Sequence, residues 1–186
     1  MEQLVIHTRR LTIRNLRITD LGDFYAYRSN PEVTRFQGFE VMTLEESIAF
    51  IREQANRPFG VPGEWVQYAL EYRESGRLIG DCAIKLNHED SRLGAIGITI
   101  APEEQQNGFA LEAIQGITSY LFKEAGLHRI TETVDVDNTA SVRLLERAGF
   151  KREGHFIENI FFKGRWGSEY QYAMLRANWQ KSTNSQ

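Results

Sequence analysis

Ile98-Thr-Ile-Ala-Pro102-Glu-Glu-Gln-Gln-Asn-Gly108-Phe-Ala110-Leu-Glu-Ala-Ile114 is the stretch from which the fold can be read. An apolar alternation stops at Ala101-Pro102, a polar segment follows, and an apolar helical stripe opens beside Gly108 and Ala110. A strand, a short loop and a helix are implied. The first four N–H groups of a helix lack internal partners, and the macrodipole places about half a positive charge there. Small residues at that point let a pyrophosphate approach the backbone, which makes the segment an anion cradle. A Walker loop would need Lys and Ser/Thr after Gly108, and a Rossmann turn would need three glycines; neither motif is present.

Upstream of this segment, Leu11 and Ile13 alternate with polar residues as a first strand does. Thr19 or Asp20 can cap a helix carrying Leu21, Phe24 and Tyr25, which ends before Pro31. Thr43-Leu-Glu-Glu46 reads as a capping box. Leu44, Ile48, Ile51 and Ala55 then continue at helical spacing. Val66, Tyr68, Leu70 and Tyr72 predict one arm of a hairpin, and Leu78, Gly80, Cys82, Ile84 and Leu86 the other. Leu93–Ile100 is the next strand. Downstream, Leu111, Ile114, Thr118, Leu121 and Ala125 form a stripe that Gly126 terminates. A strand over Arg129–Val136 leads to Asn138, which caps a helix ending at Ala148-Gly149. Strands near Gly154–Phe162 and Glu169–Leu175 close the chain, joined through Lys163-Gly-Arg-Trp166. The order β-α-α-β-β-β-α-β-α-β-β implies a mixed α/β sheet with helices on both faces. One domain over residues 1–180 and a polar tail over 181–186 are expected.

The chain has 186 residues with 22 Lys+Arg against 25 Asp+Glu, a formal charge of −3. A partner held by nucleic-acid phosphates would call for a strongly basic footprint, so none is expected. No apolar run approaches the ~20 residues that cross a bilayer. The N-terminus lacks a secretory pattern, and the single Cys82 forms no internal disulfide, so a cytoplasmic protein is expected. His7, His88, His128 and His155 have no ligand spacing, and no metal site is expected. Cys82 reads as a buried strand residue rather than a nucleophile.

Gln105-x-x-Gly108-x-Ala110 resembles the pyrophosphate loop of the GNAT acetyltransferase superfamily. Ile98-x-Ile100-x-Pro102 matches the strand ending that precedes it there. Asn138-Thr-Ala-Ser141 followed by Glu146-Arg147-Ala148-Gly149-Phe150 resembles the RimJ/RimL-like branch, as do Glu153-Gly154-His155 and Gly164-x-Trp166. The resemblance spans roughly residues 8 to 179.

It implies a mostly antiparallel seven-stranded sheet whose fourth and fifth strands, here Leu93–Ile100 and Arg129–Val136, splay apart. It also implies acetyl-CoA as cosubstrate. The pantetheine arm would pair with backbone near Ile98 and Ile100. The amides of Gln105, Gln106, Asn107, Gly108, Phe109 and Ala110 would hold the pyrophosphate. Asn138 and Ser141 would flank the pantetheine and sulfur. The implied reaction is direct acetyl transfer to a primary amine in a ternary complex; in that branch the acceptor is a protein N-terminus.

The alternatives are a small amine (aminoglycoside, polyamine or amino acid) and a non-catalytic acyl-CoA sensor. Many members carry a Tyr acid at the position of Leu145; Ser141 is the substitute implied by the branch. The base that some members carry falls at Thr133. Asp135 on the same face is the catalytic candidate, with Asp81, Glu158 and Tyr170 as further choices. Phe36, Phe39 and Met42 are expected to line the acceptor pocket. Monomer and homodimer both remain open.

Overall fold

The computed structural model describes residues 3–183. Its eight strands are β1 (Val5–His7), β2 (Leu11–Asn15), β3 (Trp65–Tyr72), β4 (Leu78–Leu86), β5 (Leu93–Ile100), β6 (Arg129–Asp135), β7 (Lys151–Phe162) and β8 (Arg165–Leu175). The helices are α1 (Leu21–Arg28), α2 (Pro31–Thr34), α3 (Leu44–Gln54), α4 (Phe109–Lys123), α5 (Thr139–Arg147) and α6 (Arg176–Thr183). The strands form one sheet in the order β1-β2-β3-β4-β5-β6-β8-β7. Every neighbouring pair is antiparallel except β5 and β6, which run parallel.

The strand count is eight where the sequence reading gives seven. The extra strand, β1, pairs with β2 from Val5↔Arg14 to His7↔Thr12. Three residues are too few to announce an alternation, although Leu4 and Ile6 are buried on its inner side. Helices α2 and α6 were also not anticipated. Asn30 accepts from Glu32 N (3.0 Å) and Pro31 fills the first turn of α2, a combination that starts a helix even over four residues. Helix α6 carries Lys181, expected in the tail, and Trp179 packs on Phe122 with ring centroids 5.5 Å apart. The rest of that tail, residues 184–186, lies outside the described residues.

Two apolar layers hold the sheet. One face packs on α4 and α5 through Ile114, Ile117, Leu121, Leu145 and Phe150, against Ile13, Tyr68, Ile84, Ile96 and Ile130. The other packs on α1 and α3 through Phe24, Tyr27 and Ile51, against Leu16, Ala69 and Leu78. Each fully buried large side chain contributes about 1.5–3 kcal/mol.

Three local expectations are corrected by this packing. The stripe of α3 is rotated: Ser47, Ile51 and Gln54 face inward, while Leu44 is exposed. The Asp20 side chain does not cap α1; it is buried, accepting from Arg17 N (2.7 Å) and from Arg14 Nη1 and Nη2 (both 2.8 Å). The predicted face of β4 is also interrupted. A bulge opposes Leu70 to Gly80 and Glu71 to Leu78, so Leu78 joins the α1/α3 layer and Ile79 the other. Gly80 is required there, because a Cβ would lie 2.3 Å from Thr99 O. The final hairpin turns on Lys163 and Gly164 alone, both left-handed, so its strands are longer than expected.

Candidate active site

Strands β5 and β6 pair only at Leu93↔Arg129, Gly94↔Ile130 and Ala95↔Thr131. Beyond that vertex they separate, while β5 stays paired to β4 as far as Ile100 and β6 to β8 as far as Asp135. Half of the backbone groups of Ile96–Ile100 and Glu132–Asp135 therefore look into a gap rather than at a neighbouring strand. Inside a protein such groups need partners. The gap opens into a cavity of about 430 Å³ bounded by Ile98, Thr99, Glu132, Asp135, Asn138 and Ser141, among others. An extended molecule carrying amides would satisfy both edges, and the splay expected of these two strands is present.

Beyond Ile100, the segment 101–108 closes the mouth. Pro102–Glu104 form one 3-10 turn, and Gln105 Nε2 donates back to Ile100 O (3.1 Å). Gln106 and Gly108 adopt left-handed φ values of 63° and 79°, which turn the chain into α4. Gly108 occupies the N-cap without any side-chain cap. The backbone N–H of Gln105, expected in the cradle, instead donates to Pro102 O (3.3 Å) and closes the 3-10 turn, whereas among the described residues no turn or cap hydrogen bond uses the backbone N–H groups of Gln106, Asn107, Gly108, Phe109 or Ala110. These donors fit a diphosphate.

Arg10, which the sequence reading did not single out, stands beside this loop. Its Nη1 donates to Asn107 O (3.0 Å), its Nε to Glu112 Oε2 (2.7 Å), and its guanidinium lies 4.2 Å from the Phe109 ring centroid. Nothing in the local sequence links Arg10 to residues about a hundred positions away; only the packing of the β1–β2 turn on α4 does.

Asn138 caps α5 as expected, its Oδ1 accepting from Ser141 N (3.1 Å). That cap places both residues on the cavity wall. Leu145, one turn further, is 1% exposed and belongs to the apolar layer. The position of the missing Tyr is thus filled by packing. Arg143 and Arg147 lie on the solvent side of α5.

The carboxylates separate into three groups. Asp81 is fully buried and committed: Tyr27 Oη donates to it (2.5 Å), as do Arg28 Nη2 (2.7 Å) and Nε (3.1 Å) and Gln67 Nε2. Burial, then the Asp81 charge, pushes the Tyr27 hydroxyl well above its usual pKa. Glu158 is exposed, and the phenol candidate Tyr170 packs against His155 in a tilted arrangement with ring centroids 4.8 Å apart, outside the cavity wall.

Asp135 does reach the cavity. Its Oδ1 accepts from Asp137 N (2.8 Å), and it stands directly opposite Glu169 across the β6–β8 ladder. Glu132 is the residue that the sequence reading missed. It lines the same cavity, its Oε2 is buried without a hydrogen-bond partner, and burial raises its pKa from 4.5 to about 8. A Glu in an otherwise alternating Ile130-x-Glu132-x-Val134 face was the available signal.

Phe36 and Phe39 line the cavity on the α1/α3 side; Met42 packs in the second apolar layer instead. Arg28 lies 3.8 Å from the Phe39 ring centroid and ties that loop to the Asp81 cluster. The acidic residues on the cavity wall are Glu132, Asp135 and Glu169, and among the described residues no Lys, Arg or His lines it. Cys82 is buried, and desolvation first, then Asp81, pushes its thiol well up; it has no access to a substrate. No helix of the described residues is long and apolar enough to cross a membrane.

Residues 10–151 match the family model described as the acetyltransferase (GNAT) domain. The chain is 35% identical to the uncharacterized N-acetyltransferase YoaA of Bacillus subtilis over 161 residues, 86% of this chain and 90% of that protein. A GNAT-family acetyltransferase from Bacillus anthracis superposes with a TM-score of 0.85 at 29% identity, over 94% of this chain and 99% of that one. Spermidine N-acetyltransferase from Vibrio cholerae, solved with CoA and spermine, gives a TM-score of 0.78 at 26% identity. That match covers 92% of this chain and 98% of the other.

Proposed function

The chain belongs to the GNAT acetyltransferase family and is an acetyl-CoA-dependent N-acetyltransferase, and from that premise we propose that its acceptor is a small, cationic primary amine. The carrying observation is the opposition of Asp135 and Glu169 on a cavity wall to which no described residue contributes a basic side chain. Like charges directly opposite across a ladder are destabilising, and a cation between them removes the penalty. The Vibrio cholerae structure with CoA and spermine supports an acceptor of this kind.

Bound acetyl-CoA supplies an acetyl thioester. In the proposal, the backbone of Ile98 and Ile100 pairs with its pantetheine amides, and the N–H groups of Gln106, Asn107, Gly108, Phe109 and Ala110 hold its pyrophosphate. Asn138 flanks the pantetheine and Ser141 the sulfur. The same β5 amides polarise the thioester carbonyl. An amine with a pKa near 10 arrives protonated, so it must lose a proton before it can attack. Asp135, on the acceptor side of the gap, takes that proton directly or through water.

A second reading follows from Asn138-x-x-Ser141 and Glu146-Arg-Ala-Gly-Phe150, which are similar to the RimJ/RimL-like branch and favour the α-amine of a protein N-terminus. Release of free CoA with polyamines, aminoglycosides, amino acids and N-terminal peptides decides between them. Turnover with polyamines above all other classes is expected. Preference for N-terminal peptides would replace the first reading with the second.

A further inference from the structure

Among the described residues lining the cavity there is no Tyr, and Leu145 is packed in the apolar layer, so no phenol stands ready to protonate the departing sulfur. Glu132 is the first β6 residue past the last β5–β6 pair, Ala95↔Thr131, and so sits at the vertex of the gap. By alternation it shares a face with Ile130 and Val134, which pack in the α4/α5 layer together with Leu145. Its β8 partner is Tyr172, whose hydroxyl donates to Glu146 of α5 (3.0 Å). Oε2 of Glu132 is buried and unpartnered on the wall of the cavity that Asn138 and Ser141 also line. An unmet buried polar atom is costly, and a bound group would relieve that cost.

We propose that the Glu132 carboxyl group delivers a proton to the CoA sulfur as the thioester bond breaks. This role rests on the acetyl-transfer reading. The amine lone pair forms the C–N bond while the carbonyl π pair moves to oxygen. That pair then returns, the C–S bond breaks with its electrons on sulfur, and the Glu132 O–H proton passes to sulfur to give CoA thiol. The carboxylate left behind regains a proton from water once the products leave. The remaining proton on nitrogen passes to solvent by way of Asp135. One proton is released per protonated amine consumed.

Glu132 is suited to this because a pKa of about 8 keeps it protonated at neutral pH, close to the value of an ordinary thiol. The shift is caused by burial alone. Tyr172 stands opposite Glu132 on β8 with its hydroxyl held by Glu146 of α5, Tyr170 packs in the same apolar layer, and Ser141, Asp135 and Glu169 share the cavity wall. Among the described residues β5 lends Ala95, Ile96, Gly97, Ile98 and Thr99 to that wall, none of them titratable, and α4 lends Tyr120 and Leu121 to the apolar layer.

Three measurements test the role. With the acceptor found in the amine screen, Glu132→Gln lowers kcat by roughly 10²-fold, with the KM for acetyl-CoA within about twofold. Wild-type kcat falls as pH rises through about 8, and this limb is absent in Glu132→Gln but retained in Ser141→Ala. Carbon-13 NMR of Glu-labelled protein without ligand shows one carboxyl titrating near pH 8, missing from Glu132→Gln. Should that carboxyl titrate near 4.5, or Glu132→Gln turn over as the wild type does, the role is overturned. Absence of wild-type turnover and of acetyl-CoA binding would instead overturn the acetyl-transfer reading itself.

Discussion

Asp135 and Glu169 occupy directly opposed positions on β6 and β8, two carboxylates on one wall of the cavity. Glu169 Oε2 accepts from Asn159 Nδ2 (2.6 Å) and Asp135 Oδ1 from Asp137 N (2.8 Å). Neither bond removes a negative charge, so an incoming ammonium meets two acceptors. Glu169→Gln is expected to raise the KM for a polyamine several-fold, about 1 kcal/mol. The KM for acetyl-CoA should not move, and added salt should shrink the difference. Steady-state kinetics at two ionic strengths measure this; an unchanged polyamine KM would count against the cationic acceptor.

Gly108 carries a left-handed φ of 79° at the uncapped start of α4. Gly108→Glu introduces strain and places a negative charge where the pyrophosphate is proposed to bind. Calorimetry is expected to show loss of acetyl-CoA affinity. Gly108→Ala, which carries the strain without the charge, should weaken binding less.

Arg28 and Asp81 form a buried pair, with side chains 2% and 0% exposed. Removing the anion alone leaves a guanidinium buried without compensation. Asp81→Ala is expected to lower unfolding free energy by about 3–5 kcal/mol in urea titrations. Replacing both residues with apolar ones of similar volume should restore much of the loss. A single substitution without effect on stability would show that the cluster is not structural.

The raised pKa of Glu132 also links stability to pH. The native carboxyl keeps its proton up to about 8, whereas the unfolded one loses it near 4.5. Across that window the unfolded state binds fewer protons, so this residue's contribution to stability is fully present below 4.5 and is lost as pH rises to 8. The loss is on the order of a few kcal/mol. Glu132→Gln has no such dependence, and its Tm should gain on wild type between pH 5 and pH 8.5. Parallel Tm curves over that range would exclude the shift.

The sequence by itself determined the local grammar. Ala101-Pro102 stops β5, Gly108 starts α4, Asn138 caps α5, and period-two alternation lays out β3, β6 and β4 beyond its bulge; each depends on a residue's neighbours within one or two turns. The loop Gln105–Ala110 and the Asn138–Ser141 cap were legible for the same reason, and so was the family. Tertiary structure decided what depends on residues distant in the chain. Only the sheet order brings Glu169 opposite Asp135 and sets Arg10 against Asn107. Only the early end of β5–β6 pairing at Ala95 and Thr131 turns Glu132 from an ordinary strand residue into a half-buried acid at the vertex of the gap, with one buried oxygen unmet among the described residues. Burial and cross-strand partners are properties of the assembled sheet, and no window of neighbouring residues contains them.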